Sequence, residues 1–350
     1  MPFSTELTQK LGIQLPIVQG GMQHVGTADL ASAVSNAGGL GLVTALNFRP
    51  PSKFRDEIRR CRSLTKRPFG INITMMPSIM PVDYDAYATI AIEEGVHIVE
   101  TAGNTPEPVI GKLKKAGIVV IHKCTSLQHA EAAVELGADF ITISGVESAA
   151  QVGESNLTNF ILFSQARQRL SVPFIASGGF ADGAALAAAL VLGAAGIHMG
   201  TRFMTTAESP AHPNIKNTVV QAEATDTSLV LRRWRNTFRA YNNQVARRVL
   251  DIEESSETGN FEEVADLVMG RRGKEVFTSG DPERGIWTAG QVMGLIHDIP
   301  TCKELLSRME QEAEVALQKT HLLQASPLLA HQLQSLSRGG ATAASAKMAT

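Results

Sequence analysis

The sequence predicts an α/β protein of the (β/α)8 TIM-barrel class, with a helical insertion after strand 8. Three observations predict this fold. A helical pattern that ends in glycine and leads into a short apolar segment recurs along the chain, eight such apolar segments occur, and several are followed directly by glycine or polar residues. A length of 350 residues accommodates one barrel of this kind with an added subdomain.

The helix-to-strand unit is clearest in five segments, NAGGLGLVTA, EEGVHIVETA, KKAGIVVIHK, ELGADFITIS and VLGAAGIHMG. In each segment a glycine stands where the C-terminus of a helix favours a left-handed residue. These glycines are Gly38, Gly95, Gly117, Gly137 and Gly193. Because successive units of this type place their strands side by side in one direction, they predict a parallel sheet.

The eight predicted strands have nearly continuous apolar sequences, as expected for strands that are covered on both faces. They are 17–20, 40–45, 69–74, 97–101, 118–123, 140–144, 173–177 and 195–199. Eight strands that alternate with helices favour a closed barrel, and an open doubly wound sheet is the alternative. The apolar segment 183–200 is interpreted as a buried helix and strand, because glycine interrupts it before it reaches membrane-spanning length.

The predicted organisation has four regions. Residues 1–205 form the barrel, 206–280 a helical cap without strands, 281–335 C-terminal helices that pack back on the barrel, and 336–350 a disordered tail of small polar residues. The basic segment LRRWRNTFRAYNNQVARRVL in the cap is interpreted as a solvated helix face. GIWTAGQVMGLI, residues 285–296, has apolar helical spacing and is expected to contact the barrel or line the site.

Composition excludes several classes of function. Apolar residues make up 44%, charged residues 19%, and the net charge is −2, which indicates a globular protein with no nucleic-acid partner. The N-terminal sequence shows no signal peptide, and the three cysteines form no disulfide or zinc pattern. We therefore expect a cytoplasmic protein without membrane insertion, and a homodimer is compatible with the sequence. The nine histidines form no HxxxH or HExxH pair, so no metal site is predicted.

The active site of such a barrel lies at the C-terminal ends of its strands. Strand one ends in Gln19, Gly20, Gly21 and Met22. Paired glycines let a flat ligand approach the backbone, and their amides can donate to carbonyl-like atoms. A tight turn that binds no ligand is the alternative.

The ends of strands seven and eight predict a phosphate site. Strand seven ends in Ser177, Gly178 and Gly179, and strand eight ends in Met199, Gly200 and Thr201. Barrels that bind phosphate do so in these two loops, where glycine amides and a helix N-terminus point at the anion. Neither loop is a GxGxxG fingerprint, and no Walker sequence occurs.

Three polar side chains lie on otherwise apolar strands. Lys123, at the end of strand five, needs an anionic partner, either a ligand or, as the alternative, Glu100 of strand four. Asn72 and Thr74 on strand three are suited to hydrogen-bonding the edge of a ring, and satisfaction of each polar group within the core is the alternative. The strand residues His122 and His198 are interpreted as satisfied core residues.

Together these strand ends resemble the nitronate monooxygenase family, formerly called 2-nitropropane dioxygenases, with its NADH:quinone reductase and FabK-like enoyl reductase relatives. The resemblance covers residues 3–323 and is carried by PIVQGGMQ, FGINIT, VETAGN, VIHKCT, ASGGFADG, MGTRF and GIWTAGQVMGLI. It implies a noncovalent FMN. The ring would lie near Gly21, Met22, Asn72 and Lys123, and the phosphate would be held by Gly178, Gly179, Gly200 and Thr201.

The sequence departs from the family pattern in the loop after strand six, GVESAAQVGES. Many family members carry a histidine there, which is the candidate base that takes a proton from a neutral nitroalkane. In this chain the position is Gln151, whose amide has no useful pKa for that task. Gln151 and Lys123 are the predicted catalytic residues, with Gln151 expected to hydrogen-bond substrate or flavin.

Two chemistries do not need the missing base. An alkyl nitronate is already an anion and can reduce FMN without losing a proton first, after which O2 completes the oxidation. Hydride transfer from NAD(P)H as cosubstrate, with a quinone as electron acceptor, depends on alignment more than on a base. A flavin-retaining accessory protein without turnover is the alternative from another class.

Overall fold

The computed structural model describes residues 3–75, 82–103 and 107–322, and it confirms the predicted barrel. Eight parallel strands form one sheet, and a separate three-stranded sheet lies outside it. The barrel strands are β1 (Ile17–Gln19), β2 (Gly41–Thr44), β3 (Phe69–Met75), β4 (Ile98–Gly103), β5 (Val119–Cys124), β6 (Phe140–Ser144), β8 (Phe174–Ser177) and β9 (Gly196–Met199). The second sheet consists of β7 (Ala150–Gln151), β10 (Thr227–Val230) and β11 (Phe238–Tyr241).

The sheet closes between its first and last strands. β1 pairs with β9 on one side, and on the other a parallel bridge joins Val18 to Leu40, next to β2. The Gln19 amide donates to the Leu40 carbonyl at 2.9 Å, and the Leu40 amide donates to Ile17 at 2.9 Å. The strand order therefore describes a barrel rather than an open doubly wound sheet.

Helices alternate with the barrel strands as predicted. The five glycines that end the repeated helical patterns all have positive φ, from 62° at Gly95 to 100° at Gly38. The helices are α1 (Glu6–Leu11), α2 (Ala28–Asn36), α3 (Pro51–Leu64), α4 (Tyr84–Glu93), α5 (Glu107–Lys115), α6 (Leu127–Glu135), α7 (Asn159–Arg169), α8 (Gly183–Val191), α9 (Thr201–Met204), α10 (Pro213–Gln221), α11 (Gln244–Ser255), α12 (Glu262–Ala265), α13 (Gly270–Ser279) and α14 (Cys302–Leu322). The segment 183–200 forms α8 and β9, which confirms its interpretation as helix and strand.

The interior of the barrel has an apolar lower layer and a polar upper layer. Strand residues whose side chains point into the barrel, such as Val18, Leu42 and Ile175, pack together at its N-terminal end with residues of α1. Two residues further along the strands, the same inner face carries polar and charged side chains. These are Thr44, Asn72, Glu100, Lys123, Ser144, Ser177 and His198. The alternation of the strands therefore turns the predicted C-terminal face into a polar cup.

The prediction of a cap without strands was wrong. Residues 227–230 and 238–241 form the antiparallel hairpin β10–β11, and β11 pairs with β7 from the barrel loop. The basic segment is accordingly a strand, a turn and α11, not one solvated helix. Both strands are only four residues long, and apolar spacing does not separate strand from helix over so short a length.

The C-terminal segment does pack back on the barrel, but residues 285–296 form no α-helix. The chain is irregular from Gly285 to Gly290 and forms a single 3₁₀ turn at Gln291–Leu295. Glycines at 285, 290 and 294 weaken the helix that the apolar spacing suggested. Beyond it, the Glu312 carboxylate of α14 accepts the Gly183 amide of α8 at 2.8 Å.

A buried arginine joins the C-terminal segment to the end of β9. The Arg202 guanidinium, 1% exposed, donates to the Thr205 carbonyl at 2.8 Å and to the Asp298 carbonyl at 2.7 Å. Within residues 3–75, 82–103 and 107–322, no helix combines the length and apolar character needed to cross a membrane. The predicted tail, 336–350, lies outside the described residues.

We expect Gly41→Ala to destabilise the barrel. A Cβ at Gly41 would lie 1.9 Å from the Ala31 carbonyl oxygen of α2, so helix and strand would have to separate. The expected cost is about 1–3 kcal/mol of the free energy of unfolding. Gly111→Ala is the control, because a Cβ there meets nothing within 4 Å and alanine favours helix by roughly 0.5–1 kcal/mol. Urea midpoints that move equally in the two variants would contradict this packing account.

Candidate active site

The candidate site lies at the polar C-terminal ends of the barrel strands. The structure brings together side chains or backbone from β1, β3, β4, β5, β8 and β9 there. All the predicted binding residues stand at these ends, but several use their polar groups within the protein. The last residue of the VETAGN motif, at 104, lies outside the described residues.

Gln19 completes the closure of the barrel. Its side chain is fully buried, its Oε1 accepts the Leu42 amide at 3.0 Å, and its Nε2 donates to the Gly20 carbonyl. Because β1 and β2 share few backbone hydrogen bonds, the side-chain amide takes the place of a backbone partner. The structure therefore gives Gln19 a structural task where the sequence predicted cofactor binding.

Gly20 and Gly21 are glycines because two side chains approach them closely. A Cβ at Gly20 would lie 2.0 Å from Cε1 of His198, and a Cβ at Gly21 would lie 2.1 Å from Cγ of Asn72. The amides here were expected to meet a ligand. Instead Gly20 donates to the Met199 carbonyl at 3.0 Å, Gly21 to Glu100 Oε1 at 3.2 Å, and Met22 to Thr44 Oγ1 at 2.9 Å.

Glu100 of β4 is the centre of this network. Its carboxylate is fully buried, and Oε1 accepts from the Gly21 amide and, at 2.9 Å, from Asn72 Nδ2. Its Oε2 lies 2.8 Å from Nε2 of His198, a close contact that falls short of regular hydrogen-bond geometry. Burial alone would raise the pKa of Glu100, but His198, Lys123 and the Gly21 amide together hold that pKa below its usual value.

Asn72 and Thr74 satisfy each other, as one of the two interpretations of the sequence proposed. The Thr74 hydroxyl donates to Asn72 Oδ1 at 3.0 Å, while Asn72 Nδ2 donates to Glu100. Within residues 3–75, 82–103 and 107–322, one Nδ2 hydrogen of Asn72 and the oxygen of the half-buried Thr74 hydroxyl have no further partner and could bind a ligand. These two atoms are what strand three can offer to the edge of a ring.

Lys123 has no ion-pair partner within the described residues. Its side chain is half-buried at the end of β5, and neither a salt bridge nor a hydrogen bond to Nζ joins it to Glu100. Burial lowers the pKa of the Lys123 ammonium, and the negative charge of Glu100 opposes that effect from a distance. The direct ion pair with Glu100 that was the alternative explanation is absent from the part of the chain that the structure describes.

The loops after β8 and β9 present free amide groups. Gly178 and Gly179 have φ values of 91° and 80°, a backbone that favours glycine at both positions. Within the described ranges, the amides of Gly178, Gly179, Gly200 and Thr201 donate no hydrogen bond. The Thr201 hydroxyl accepts the Gly290 amide at 3.1 Å, which brings the C-terminal segment to the same loop.

Ser177 and Met199 are placed differently from what the sequence predicted. Ser177 Oγ lies 3.2 Å from Nδ1 of His198, inside the barrel. Met199 faces outward and its side chain belongs to the hydrophobic core between barrel and helices, so only its carbonyl reaches the strand end. Met22 lies at the mouth, with its sulfur 3.7 Å from the position of a Cβ on Gly200.

Of the two helices that begin at these loops, α9 starts at Thr201, whose amide donates no hydrogen bond within the described residues, whereas the N-terminus of α8 is already capped. Asp182 Oδ1 accepts the Ala185 amide at 2.8 Å, and Glu312 accepts the Gly183 amide. Two carboxylates at this helix end leave no electrostatic room for a phosphate. The candidate cradle therefore consists of the loop amides of Gly178, Gly179, Gly200 and Thr201.

Gln151 lies on β7 and so belongs to the sheet of the cap. It pairs with Phe238 of β11, and its half-buried side chain makes no hydrogen bond in the described part of the chain. Two residues later the loop crosses the end of β5, where a Cβ on Gly153 would lie 2.7 Å from Thr125 Oγ1. The loop that carries Gln151 thus passes close to Thr125, just beyond the end of β5.

Two clamps hold the Gln151 loop to the hairpin. The Glu154 carboxylate accepts the Thr237 amide at 3.0 Å and also its hydroxyl, and Arg232 donates to Asn156. The position of residue 151 is therefore set by the cap as much as by the barrel. Sequence spacing alone gave no sign of this connection, because the partners are more than 75 residues apart.

Three residues near the site were missed as functional candidates. Glu100 and His198 were treated as ion-pair or core residues, yet both face into the polar cup. His24 follows the PIVQGGMQ motif with φ 67° and packs near Phe277 of α13, with ring centroids 6.4 Å apart. Burial, assisted by the charge of Lys274, lowers the pKa of His24. The alternation of inward and outward side chains along each strand was the signal that could have identified Glu100 and His198.

The upper interior also holds polar atoms without protein partners. Thr142 Oγ1 and Ser144 Oγ of β6 are buried and make no hydrogen bond within the described residues. Thr142 is the register neighbour of Lys123. Buried polar groups normally have a partner, so this wall of the barrel is suited to a polar ligand.

Known proteins are similar to this chain over most of its length. The family model described as nitronate monooxygenase matches residues 4–312. A Mycobacterium tuberculosis protein named (3aS,4S,5R,7aS)-5-hydroxy-7a-methyl-1-oxo-octahydro-1H-indene-4-carboxyl-CoA dehydrogenase is 31% identical over 94% of this chain and 100% of its own length. A probable nitronate monooxygenase of Staphylococcus haemolyticus is 32% identical over 65% of this chain and 75% of its own.

A solved structure extends the similarity to three dimensions. FabK from Thermotoga maritima superimposes with a TM-score of 0.84 at 33% identity, covering 91% of this chain and 99% of FabK. The similarity thus covers both the barrel and most of the C-terminal segment. On the match to residues 4–312, the chain belongs to the nitronate monooxygenase family of flavin-dependent oxidoreductases.

Proposed function

We propose that the protein is an oxidoreductase that binds noncovalent FMN and oxidises a small anionic substrate, an alkyl nitronate, with O2. The observation that carries this proposal is the ammonium of Lys123, which has no ion-pair partner among the described residues and lies beside the buried hydroxyls of β6. A partly desolvated cation gains most from an anionic ligand. Gln151, whose loop passes just beyond this strand end, would hydrogen-bond the substrate without taking a proton from it.

The residues present fit FMN. The free amides of Gly178, Gly179, Gly200 and Thr201 would hold its single phosphate, and Asn72, Thr74 and Lys123 would face its ring. When bound, the flavin supplies two-electron redox chemistry with an organic substrate and with O2. This chain supplies the cradle, the cation and a wall of polar atoms, and it supplies no base at residue 151.

A second candidate is an oxidoreductase of CoA thioesters. A turn of the cap hairpin exposes Arg232, Arg233 and Arg235, and it is held rigid because the Glu253 carboxylate accepts the amides of Leu231 and Arg233 at 2.7 and 3.0 Å. The strand after this turn pairs with Gln151. Arginines suit the phosphates of a CoA handle, and the mycobacterial CoA dehydrogenase matches this chain over its whole length.

Anaerobic mixing tests the first proposal. We expect purified protein to be yellow and to release FMN, not FAD, on denaturation. Preformed ethyl nitronate should bleach the flavin of wild type, and Lys123→Met should require at least about tenfold more nitronate because its cation is lost. Bleaching by NAD(P)H with turnover of a quinone, but not by nitronate, would instead identify a reductase. No bleaching by any donor would indicate an accessory protein.

We expect Gly178→Ala to lower the affinity for FMN by about tenfold or more, because alanine strains the left-handed backbone and its Cβ would lie 2.8 Å from Ser148 Cβ. Gly117→Ala is the matched control: its φ is 74°, and a Cβ there meets nothing within 4 Å. Fluorescence titration of the apoprotein with FMN measures both. Equal affinities would place the phosphate elsewhere.

We expect Gln151→His to create activity toward neutral nitroethane. Imidazole titrates near neutral pH, and general-base assistance is worth about 10²–10⁴ in rate. Flavin reduction should rise with pH through the imidazole pKa, because only the unprotonated ring accepts a proton, while Gln151→Asn should show no gain. Wild-type reduction as fast as that of the variant would mean that another base acts, with His24 the first to replace.

The CoA candidate has its own test. Arg233→Glu with Arg235→Glu should raise KM for a CoA thioester by about tenfold or more, since two cations become anions facing phosphates. KM for the same acyl group on N-acetylcysteamine, which lacks the nucleotide, should not change. Arg247→Glu with Arg248→Glu, at two exposed arginines of α11, controls for the same change in net charge. Parallel changes for both thioesters would exclude a phosphate-binding role for the turn.

A further inference from the structure

One buried pair of ionisable side chains has no part in the proposed reaction. Glu100 and His198 face each other across the inside of the barrel, from β4 and β9, with Oε2 and Nε2 2.8 Å apart. Glu100 is 0% and His198 4% exposed, so neither reaches a substrate at the mouth. Burying a carboxylate costs several kcal/mol unless donors replace its water, so the pair needs an explanation.

The donors around Glu100 are the groups that the flavin site depends on. Oε1 accepts from the Gly21 amide and from Asn72 Nδ2, both at the strand ends assigned to the ring. On the other side, His198 Nδ1 lies 3.2 Å from Ser177 Oγ, directly before the Gly178 cradle. A continuous chain, Asn72, Glu100, His198 and Ser177, thus connects the ring side of the site to the phosphate side.

The protonation of the pair follows from its geometry. A carboxylate oxygen and an unprotonated ring nitrogen at 2.8 Å would place two lone pairs against each other, so Nε2 of His198 carries a proton. Nδ1 then either accepts from Ser177 or donates to it. Of the described titratable groups, Lys123 of β5 also acts to lower the pKa of Glu100. The charge of Glu100 in turn acts to raise the pKa of His122, whose side chain lies on the outer face of β5.

We propose that Glu100 and His198 are a positioning pair that fixes the donors and the negative charge behind the flavin ring and thereby sets the redox potential of the bound flavin. The proposal rests on FMN binding at this site. A fixed negative charge behind the ring disfavours the added electrons, and Lys123 on the open side favours them. The balance between these two charges would decide which donors can reduce the flavin.

The structure offers a matched control histidine. His122 of β5 is also buried, at 2% exposure, and its Nδ1 also lies near a neighbouring hydroxyl, Thr101 Oγ1 at 2.9 Å. It differs in facing the helical layer and in making no contact with Glu100. Burial lowers the pKa of His122 to about 4, so it is neutral and carries no charge to lose.

The experiment measures flavin affinity and potential, not turnover. Apoprotein of wild type, Glu100→Gln, His198→Gln and His122→Gln is titrated with oxidised and with reduced FMN under anaerobic conditions. Glu100→Gln should increase the affinity for reduced FMN relative to oxidised FMN by about tenfold or more, which raises the potential. His198→Gln raises the pKa of Glu100, so the same ratio should approach that of Glu100→Gln as pH falls from 8 to 6. His122→Gln should match wild type.

The outcomes separate the two proposals. If wild type binds no FMN, the proposed function falls and this inference with it. If wild type binds FMN but His198→Gln keeps the wild-type ratio at both pH values, as His122→Gln does, the positioning pair is refuted and FMN binding stands. Should Glu100→Gln fail to fold, the comparison of the two histidine variants still decides.

Discussion

The solvation of one buried carboxylate constrains the whole upper end of the barrel. The Glu100 side chain is fully buried, so the amide of Gly21 after β1, a side-chain amide of β3 and an imidazole of β9 converge on it. The same convergence leaves no space for side chains at Gly20 and Gly21. The loop after β1 therefore takes its shape from a charge on the opposite side of the barrel. The apolar layer beneath supplies the low-dielectric surroundings that make these contacts strong.

Much of the fold was predictable because its signals are local. Each glycine that ends a helix indicates a left-handed residue at its own position, and each buried strand can be recognised from its own apolar sequence. The hairpin of the cap was not predictable in this way. Thr227–Val230 and Phe238–Tyr241 are short, and the second of them also pairs with Ala150–Gln151, where Phe238 lies opposite Gln151, 238 − 151 = 87 residues earlier in the chain. Pairing between segments that are far apart in the chain produces little recognisable pattern within a short stretch of sequence.

The location of the site was predictable from the rule that strand ends carry function, but the use of its groups was not. Paired glycines after β1 correctly indicated a close approach, and the approaching groups proved to be His198 and Asn72. Gln19 looked like a ligand-binding amide, while its partner is the backbone of β2. The alternation of side chains along β4 and β9 predicts that Glu100 and His198 point into the barrel. Their contact was not, because it depends on the register and closure of the barrel.

The two-residue strand β7 has a consequence for how such proteins diversify. Because Gln151 pairs with Phe238, a slip of one residue in β11 would present the opposite face of that strand to the barrel mouth. The spacing between the arginine turn and β11 is therefore inflexible, whereas the turn itself projects into solvent and tolerates change. Differences in substrate specificity between such proteins should therefore accumulate in the turn. A cap transferred from another barrel would have to bring with it the barrel loop that carries its own β7.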